Sequence, residues 1–171
     1  MRLMVIRHAI AENRVEFART GQDDSERPLT DVGRSRMKQA AEGLKVVAPS
    51  IDVLATSPLT RAAQTAEIVG NAYGEMELVR VRALEPGAGP EAVLRWLRRQ
   101  RARDTVAIVG HEPDLSVLVS ALLAETPDSF VDLKKGSACL VEFNGRANLG
   151  TGLLRWLLAP KQLRRIGAGG A

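Results

Sequence analysis

Cysteine is almost absent from this chain. Of 171 residues only Cys139 carries a thiol, which excludes an internal disulfide. Histidine is nearly as scarce: with only His8 and His111 beside that thiol, a Cys/His zinc site fails on ligand count. Aromatic residues make up 4% and no nucleic-acid-binding motif is present, so a nucleic-acid partner is not expected. No apolar run reaches the roughly 18 residues that a spanning helix needs. The LMVI between Arg2 and Arg7 is too short for the apolar region of a signal peptide. The expectation is therefore a cytoplasmic protein with no membrane partner. Lysine is also rare, since 19 of the 24 cations are arginine. Arginine grips phosphate and carboxylate in a bidentate way, so the bias is compatible with a phosphate-bearing partner; a GC-rich genome would produce the same bias.

What is present is an ordinary globular composition, 45% apolar and 26% charged, with a net charge of +4. The length suits one domain over residues 1–171, and no linker, repeat or low-complexity segment interrupts it. Short β-branched runs alternate with segments of helical period. Leu3–Ile6, Ile51–Thr56, Glu77–Val81 and Thr105–Val109 read as strands, and Ala138–Phe143 and Leu153–Leu158 as two more joined by a hairpin-like turn. A helix is expected over 31–48, capped by Thr30, with Val32, Met37, Ala40, Ala41, Leu44, Val47 and Ala48 on its inner stripe. A second should start at Ser57-Pro58 and reach Tyr73, a third should span 91–102, and a fourth should run from Glu112-Pro113 to Ala124. Residues 9–29 read as loop, and the final IGAGGA as a frayed end. This order implies an α/β protein, a three-layer α/β/α sandwich whose mostly parallel sheet carries an antiparallel strand.

In such sheets ligands bind outside the carboxyl ends of the strands. His8 ends LMVIRH and His111 ends TVAIVGH, so both histidines fall on that edge. Arg7 adjoins His8, and Arg61 lies in the first turn of the helix after the second strand. Two histidines, two arginines and helix N-termini at one edge suit a phosphate pocket; two unrelated loop histidines are the alternative.

LMVIRHAIAE resembles the Arg-His-Gly signature of the histidine phosphatase superfamily, and RPLTDVG (27–33), ATSPLTRAAQTAEI (55–68) and AIVGHEP (107–113) follow in that family's order. The ending LLRWLLAPKQL (153–163) and the chain length are similar to the short SixA-type branch, the phosphohistidine phosphatases. The resemblance implies a phosphoglycerate-mutase-like fold and catalysis through a phosphohistidine. His8 would be the nucleophile, Arg7 and Arg61 would hold phosphoryl oxygens, and His111 would complete the pocket. It implies no cofactor and no metal. Ala9 replaces the usual glycine, and Arg36-Met37 replace the Gln-Ala of larger relatives at a position expected to pack.

A proton donor is the open point. Glu85, in ALEPGAGPE, is the nearest acid, yet it falls on a variable position of the SixA-type pattern, where a solvated glutamate serves equally well. A site without such a donor suits the labile P–N bond of phosphohistidine better than an ester. The expected partner is then a phosphorylated protein, such as a histidine-containing phosphotransfer domain, met by a monomeric enzyme. Arg27, within RPLT, would approach the pocket mouth. The charged loop before it, with Glu12, Glu16, Asp23, Asp24, Glu26, Arg14 and Arg19, is either a recognition rim or a solvated loop. Three rivals stand beside this reading. One is a small-molecule phosphomonoesterase with Glu85 as general acid. Another is a non-catalytic phosphoprotein-binding module. The third is a nucleic-acid binder using Arg95, Arg98, Arg99, Arg101 and Arg103. Cys139 reads as a small core residue.

Overall fold

A computed structural model describes residues 1–102 and 104–169. Arg103 of the basic run, and Gly170 and Ala171 of the end expected to fray, lie outside the described residues. Six strands form one sheet: β1 (Arg2–Arg7), β2 (Val53–Thr56), β3 (Leu78–Arg80), β4 (Thr105–Gly110), β5 (Ala138–Glu142) and β6 (Leu153–Leu158). They lie in the order β3-β2-β4-β1-β5-β6. β4 pairs in parallel with both β1 and β2, and β2 with β3. β5 runs antiparallel to β1 and to β6, so it alone is reversed, as the sequence suggests.

The central strands are apolar on both faces because helices cover both. Side chains alternate along a strand. Leu3 and Val5 of β1 therefore join Ile108, Leu118, Leu122 and Cys139 on one face. Met4 and Ile6 join Leu54, Met37, Leu44, Ala62 and Ala66 on the other. The first face is covered by α4 (Pro90–Leu97) and α5 (Asp114–Ala124), the second by α2 (Asp31–Val47), α3 (Thr60–Ala72) and α6 (Pro160–Gly167). Cys139 is buried, a core residue as expected.

Thr30 caps α2 as its sequence predicts, its Oγ1 accepting from Gly33 N at 3.0 Å. Val32 does not join the inner stripe and is 54% exposed. Gly33 holds that face instead, one residue and about 100° around the helix. A β-carbon on Gly33 would stand 2.0 Å from the carbonyl oxygen of Ile10, so only glycine allows α2 this close to the segment after His8.

Ser57 is not the cap of α3; the cap is Leu59. Ser57 N bonds to Val109 O at 2.9 Å, which prolongs the β2–β4 ladder by one residue and delays the helix. α4 stops at Leu97, five residues short of the expected end. Beyond Leu97 no apolar stripe continues, and Arg95, Arg98 and Arg99 put like charges one turn apart. The basic run is therefore not a single helical face.

Two helices escape the sequence pattern. α1 (Arg14–Ala18) and a 3₁₀ turn at Asp24–Glu26 stand in the expected loop, where only Phe17 of α1 is buried. α6 offers one fully buried side chain, Leu163, and docks on α2 across Gly43, where a β-carbon would meet Leu163 O at 1.9 Å. Among the described residues no helix is long and apolar enough to cross a membrane.

Candidate active site

Three adjacent parallel strands end together. β1 ends at Arg7 and is followed by His8, β2 is followed by Ser57, and β4 by His111. His8 N donates to Gly110 O at 3.0 Å, which fixes the ends of β1 and β4 side by side. The His8 and His111 rings lie 5.2 Å apart at a tilt of 52°, both buried. The strand-end argument therefore brings together residues 103 positions apart.

His8 Nδ1 lies 2.7 Å from Ala9 O. A carbonyl only accepts, so Nδ1 carries the hydrogen and Nε2 keeps a free lone pair. Burial, helped by the charges of Arg61 and Arg7, lowers the His8 pKa from 6.5 to about 4. The ring is neutral at pH 7. His111 Nε2 lies 2.9 Å from Ser57 Oγ. That oxygen also accepts from Leu59 N at 3.3 Å, and when its hydroxyl donates to His111 Nε2 the N–H of the neutral ring is on Nδ1. Burial is the main reason that the His111 pKa falls to about 3. Burial therefore keeps His111 neutral at pH 7.

Arg7 Nη1 donates to Leu133 O at 2.6 Å. Arg61 Nη1 donates to Asp24 O at 2.8 Å, and its Nη2 lies 3.2 Å from Asp24 Oδ2. Nε of Arg7, Nε of Arg61 and Nδ1 of His111 are buried and have no hydrogen-bond partner among the described residues. Unpaired buried polar atoms are costly, and two guanidinium N–H groups beside a neutral imidazole favour an anion.

Arg27 is buried at the same pocket, its Nε 2.8 Å from Asp24 Oδ1 and its Nη1 2.8 Å from Glu12 O. Asp24 thus grips Arg27 and Arg61 with one carboxylate. The hydrogen bond from Arg27 is the main cause that holds the Asp24 carboxyl below its usual range. Part of the charged loop is accordingly built structure, and its backbone is pinned further by an isolated bridge between Ala11 and Leu29.

Residues 3–85 match the family described as the histidine phosphatase superfamily (branch 1). An uncharacterized protein of Picosynechococcus sp. is 35% identical over 137 residues, covering 79% of this chain and 81% of that protein. The chain belongs to the histidine phosphatase superfamily. Phosphohistidine phosphatase SixA of Escherichia coli K12 is 29% identical over 168 residues, 96% of this chain and 97% of SixA. A solved structure of the protein histidine phosphatase SixA complexed with tungstate superposes with a TM-score of 0.81 at 24% identity, covering 95% of this chain and 99% of that one, which shows a shared fold. The protein is a SixA-like phosphatase of this superfamily with a phosphoglycerate-mutase-like fold.

The superfamily motifs now have physical reasons. Ala9 N donates to Thr65 Oγ1 at 3.0 Å and Leu29 N to Gln64 Oε1 at 2.8 Å, so the Gln-Thr pair of α3 ties down both ends of the loop that follows His8. Thr30 N donates to Ile10 O at 3.0 Å, and Gly33 permits the approach.

Glu85 sits beside Pro58 in an open depression lined also by Arg82 and Pro86–Ala88. Among the described residues its carboxylate makes no hydrogen bond or ion pair with the histidines or arginines. Sequence reasoning passed over four contributors. Ser57 looked like a helix cap. Asp24 was one acid among several. Leu133 contributes only its carbonyl. Lys135, in the turn before β5, adds a positive charge that lowers the His8 pKa further. Glu112, next to His111, is a fifth group near the site: burial raises its pKa, and Ser116 Oγ donates to its Oε2.

Proposed function

We propose that this phosphatase hydrolyses phosphohistidine on a protein, through a covalent phospho-His8. The observation that carries the proposal is the fixed His8 tautomer, with a neutral Nε2 lone pair beside the unpartnered nitrogens of Arg7, Arg61 and His111. In the first step His8 Nε2 forms a bond to phosphorus while the P–N bond to the substrate imidazole breaks. The electron pair leaves with that imidazole, which takes a proton from solvent. The His8 ring then bears positive charge, and the Nδ1–H bond to Ala9 O strengthens to stabilise it. In the second step water attacks phosphorus, the pair returns to Nε2, the water proton passes to solvent and orthophosphate departs. Arg7, Arg61 and the Nδ1–H of His111 bind the equatorial oxygens in both transition states. Arg27 acts behind them, through Asp24.

An imidazole leaves with little acid assistance, whereas an alkoxide needs a proton worth about 10²–10⁴-fold. The unattached position of Glu85 supports the P–N substrate over an ester. A histidine-containing phosphotransfer domain is the class of partner that suits this chemistry. The experiment compares kcat/KM on a histidine-phosphorylated phosphotransfer domain with that on an alkyl phosphomonoester, with His8→Ala as control. A preference for phosphohistidine that vanishes in the control supports the reading. Preference for the ester, or turnover that survives His8→Ala, overturns it.

A further inference from the structure

Beside the phosphoryl site lies a second cleft that the reaction does not use. It encloses about 60 Å³, twice the volume of a water in the liquid. Its floor is apolar, made by Ala9, Met37, Ala40 and Pro160, and its walls carry Arg36, Lys135 and Arg164. No carboxylate lines it. Among the described residues none of these three cations makes an ion pair or a side-chain hydrogen bond. Arg36 and Arg164 come from different helices, α2 and α6, and converge only because α6 docks on α2 through Gly43. The cleft adjoins the reacting group. Ala9 follows His8 directly, and Gly136 N, next to Lys135, bonds to His8 O at 3.1 Å. Lys135 also stands within electrostatic reach of Arg7, Arg27 and Arg61, so one cation belongs to both places.

We propose that this cleft between α2, α6 and the Lys135–Gly136 turn is a carboxylate-binding subsite, which selects protein substrates carrying an Asp or Glu close to the phosphorylated residue. The proposal rests on the phosphohistidine reading above and adds the chemistry of the partner surface. The volume admits a carboxylate and its methylene, the cations supply the charge, and the apolar floor accepts the stem. A side chain one helical turn from a phosphohistidine lies about 5–6 Å from it, a separation that suits two adjoining sites.

The test uses the full chain and two synthetic peptides with a single phosphohistidine, identical except that the flanking residues are Glu in one and Gln in the other. Phosphoimidazole, which has the P–N bond but no carboxylate, serves as a substrate that cannot engage the cleft. Partly exposed ion pairs each contribute modestly, so the Glu peptide should be favoured about 3- to 10-fold in kcat/KM. The preference should shrink at high salt. In Arg36→Gln/Arg164→Gln it should fall to near unity, while turnover of phosphoimidazole stays unchanged, which also shows that the variant is folded. Equal kcat/KM for the two peptides in the native chain overturns the subsite without touching the phosphatase reading, and needs no variant. A preference that persists in the double variant likewise overturns it. Loss in the double variant of activity on a small phosphate ester bearing a second anionic group, with the peptides equal, would assign the cleft to a metabolite instead. Inertness of all three P–N substrates would overturn both proposals together.

Discussion

Two loops leave the carboxyl edge of the sheet with an acid in each, and the two acids have opposite fates. The loop after β1 carries Asp24, whose carboxylate lies 2.8 Å from Arg27 and 3.2 Å from Arg61. The loop after β3 carries Glu85, half-buried, with no side-chain partner among the described residues. The first loop is fastened along its length to Thr65, Gln64 and Thr30. The second is tied at its start by Val81 N to Thr56 O at 2.9 Å and, beyond Glu85, by Gly87 N to Asp114 Oδ1 at 3.0 Å. The acid built into the site thus orders cations, and the acid placed to give a proton is the loose one. A phosphatase whose leaving group takes its proton from solvent, as proposed above, can be arranged this way.

Removing what the fastened loop holds should have the largest effect. Arg61→Ala deletes a cation at the equatorial oxygens, and kcat/KM on phosphohistidine should fall about 10³-fold. A change under tenfold would mean that Arg61 only supports the loop.

Protonation of the two histidines comes next, because the same fastened loop and the strand ends keep water from them. The chain has only these two histidines, so side-chain NMR titration reads both directly. Midpoints should lie near 4 for His8 and 3 for His111, against 6.5 in the unfolded chain. Between about pH 6.5 and pH 4 the unfolded state therefore binds more protons than the folded one. Stability should fall as pH drops through that window, by up to about 1.4 kcal/mol per pH unit for each histidine. Denaturant titration at pH 7 and pH 5 measures the loss, and a flat profile would show that the pocket is wet. A bound phosphoryl dianion should raise both midpoints.

Asp24→Asn tests the grip itself. The amide still accepts a hydrogen bond but loses its charge, and one charge-assisted bond at a half-exposed position is worth about tenfold. The fall should appear in kcat/KM on free phosphohistidine, with Arg27 and Arg61 both loosened. A rise in activity would mean instead that Asp24 competes with the substrate for the arginines.

Glu85→Gln should do least, less than about twofold on phosphohistidine, since imidazole leaves without acid help. A loss of 10²-fold or more would reverse the comparison between the loops and point to an ester substrate.

The order of strands and the apolar alternation of β1 and β4 were legible because buried strands and amphipathic helices impose their own periods on the sequence. His8, His111, Arg7 and Arg61 were legible because each closely follows a strand end or opens a helix, and the motif order placed them in one family. α1 and α6 were not, since Phe17 alone and Leu163 alone give no stripe to detect. Ser57 carried a true signal, a hydroxyl before proline, with the wrong meaning: the β2–β4 ladder took it before the helix could. Asp24 was one of five acids in its loop, and nothing local told it from Asp23 or Glu26.

By itself, then, the sequence determined the sheet and the strand-end histidines, because these rest on local period and order. Tertiary structure alone decided which carboxylate meets the arginines, that His111 meets Ser57, and that Arg36 and Arg164 share one cleft. Those are contacts between segments far apart in the chain, set by the approach of backbones at Gly33 and Gly43, and no local period encodes them.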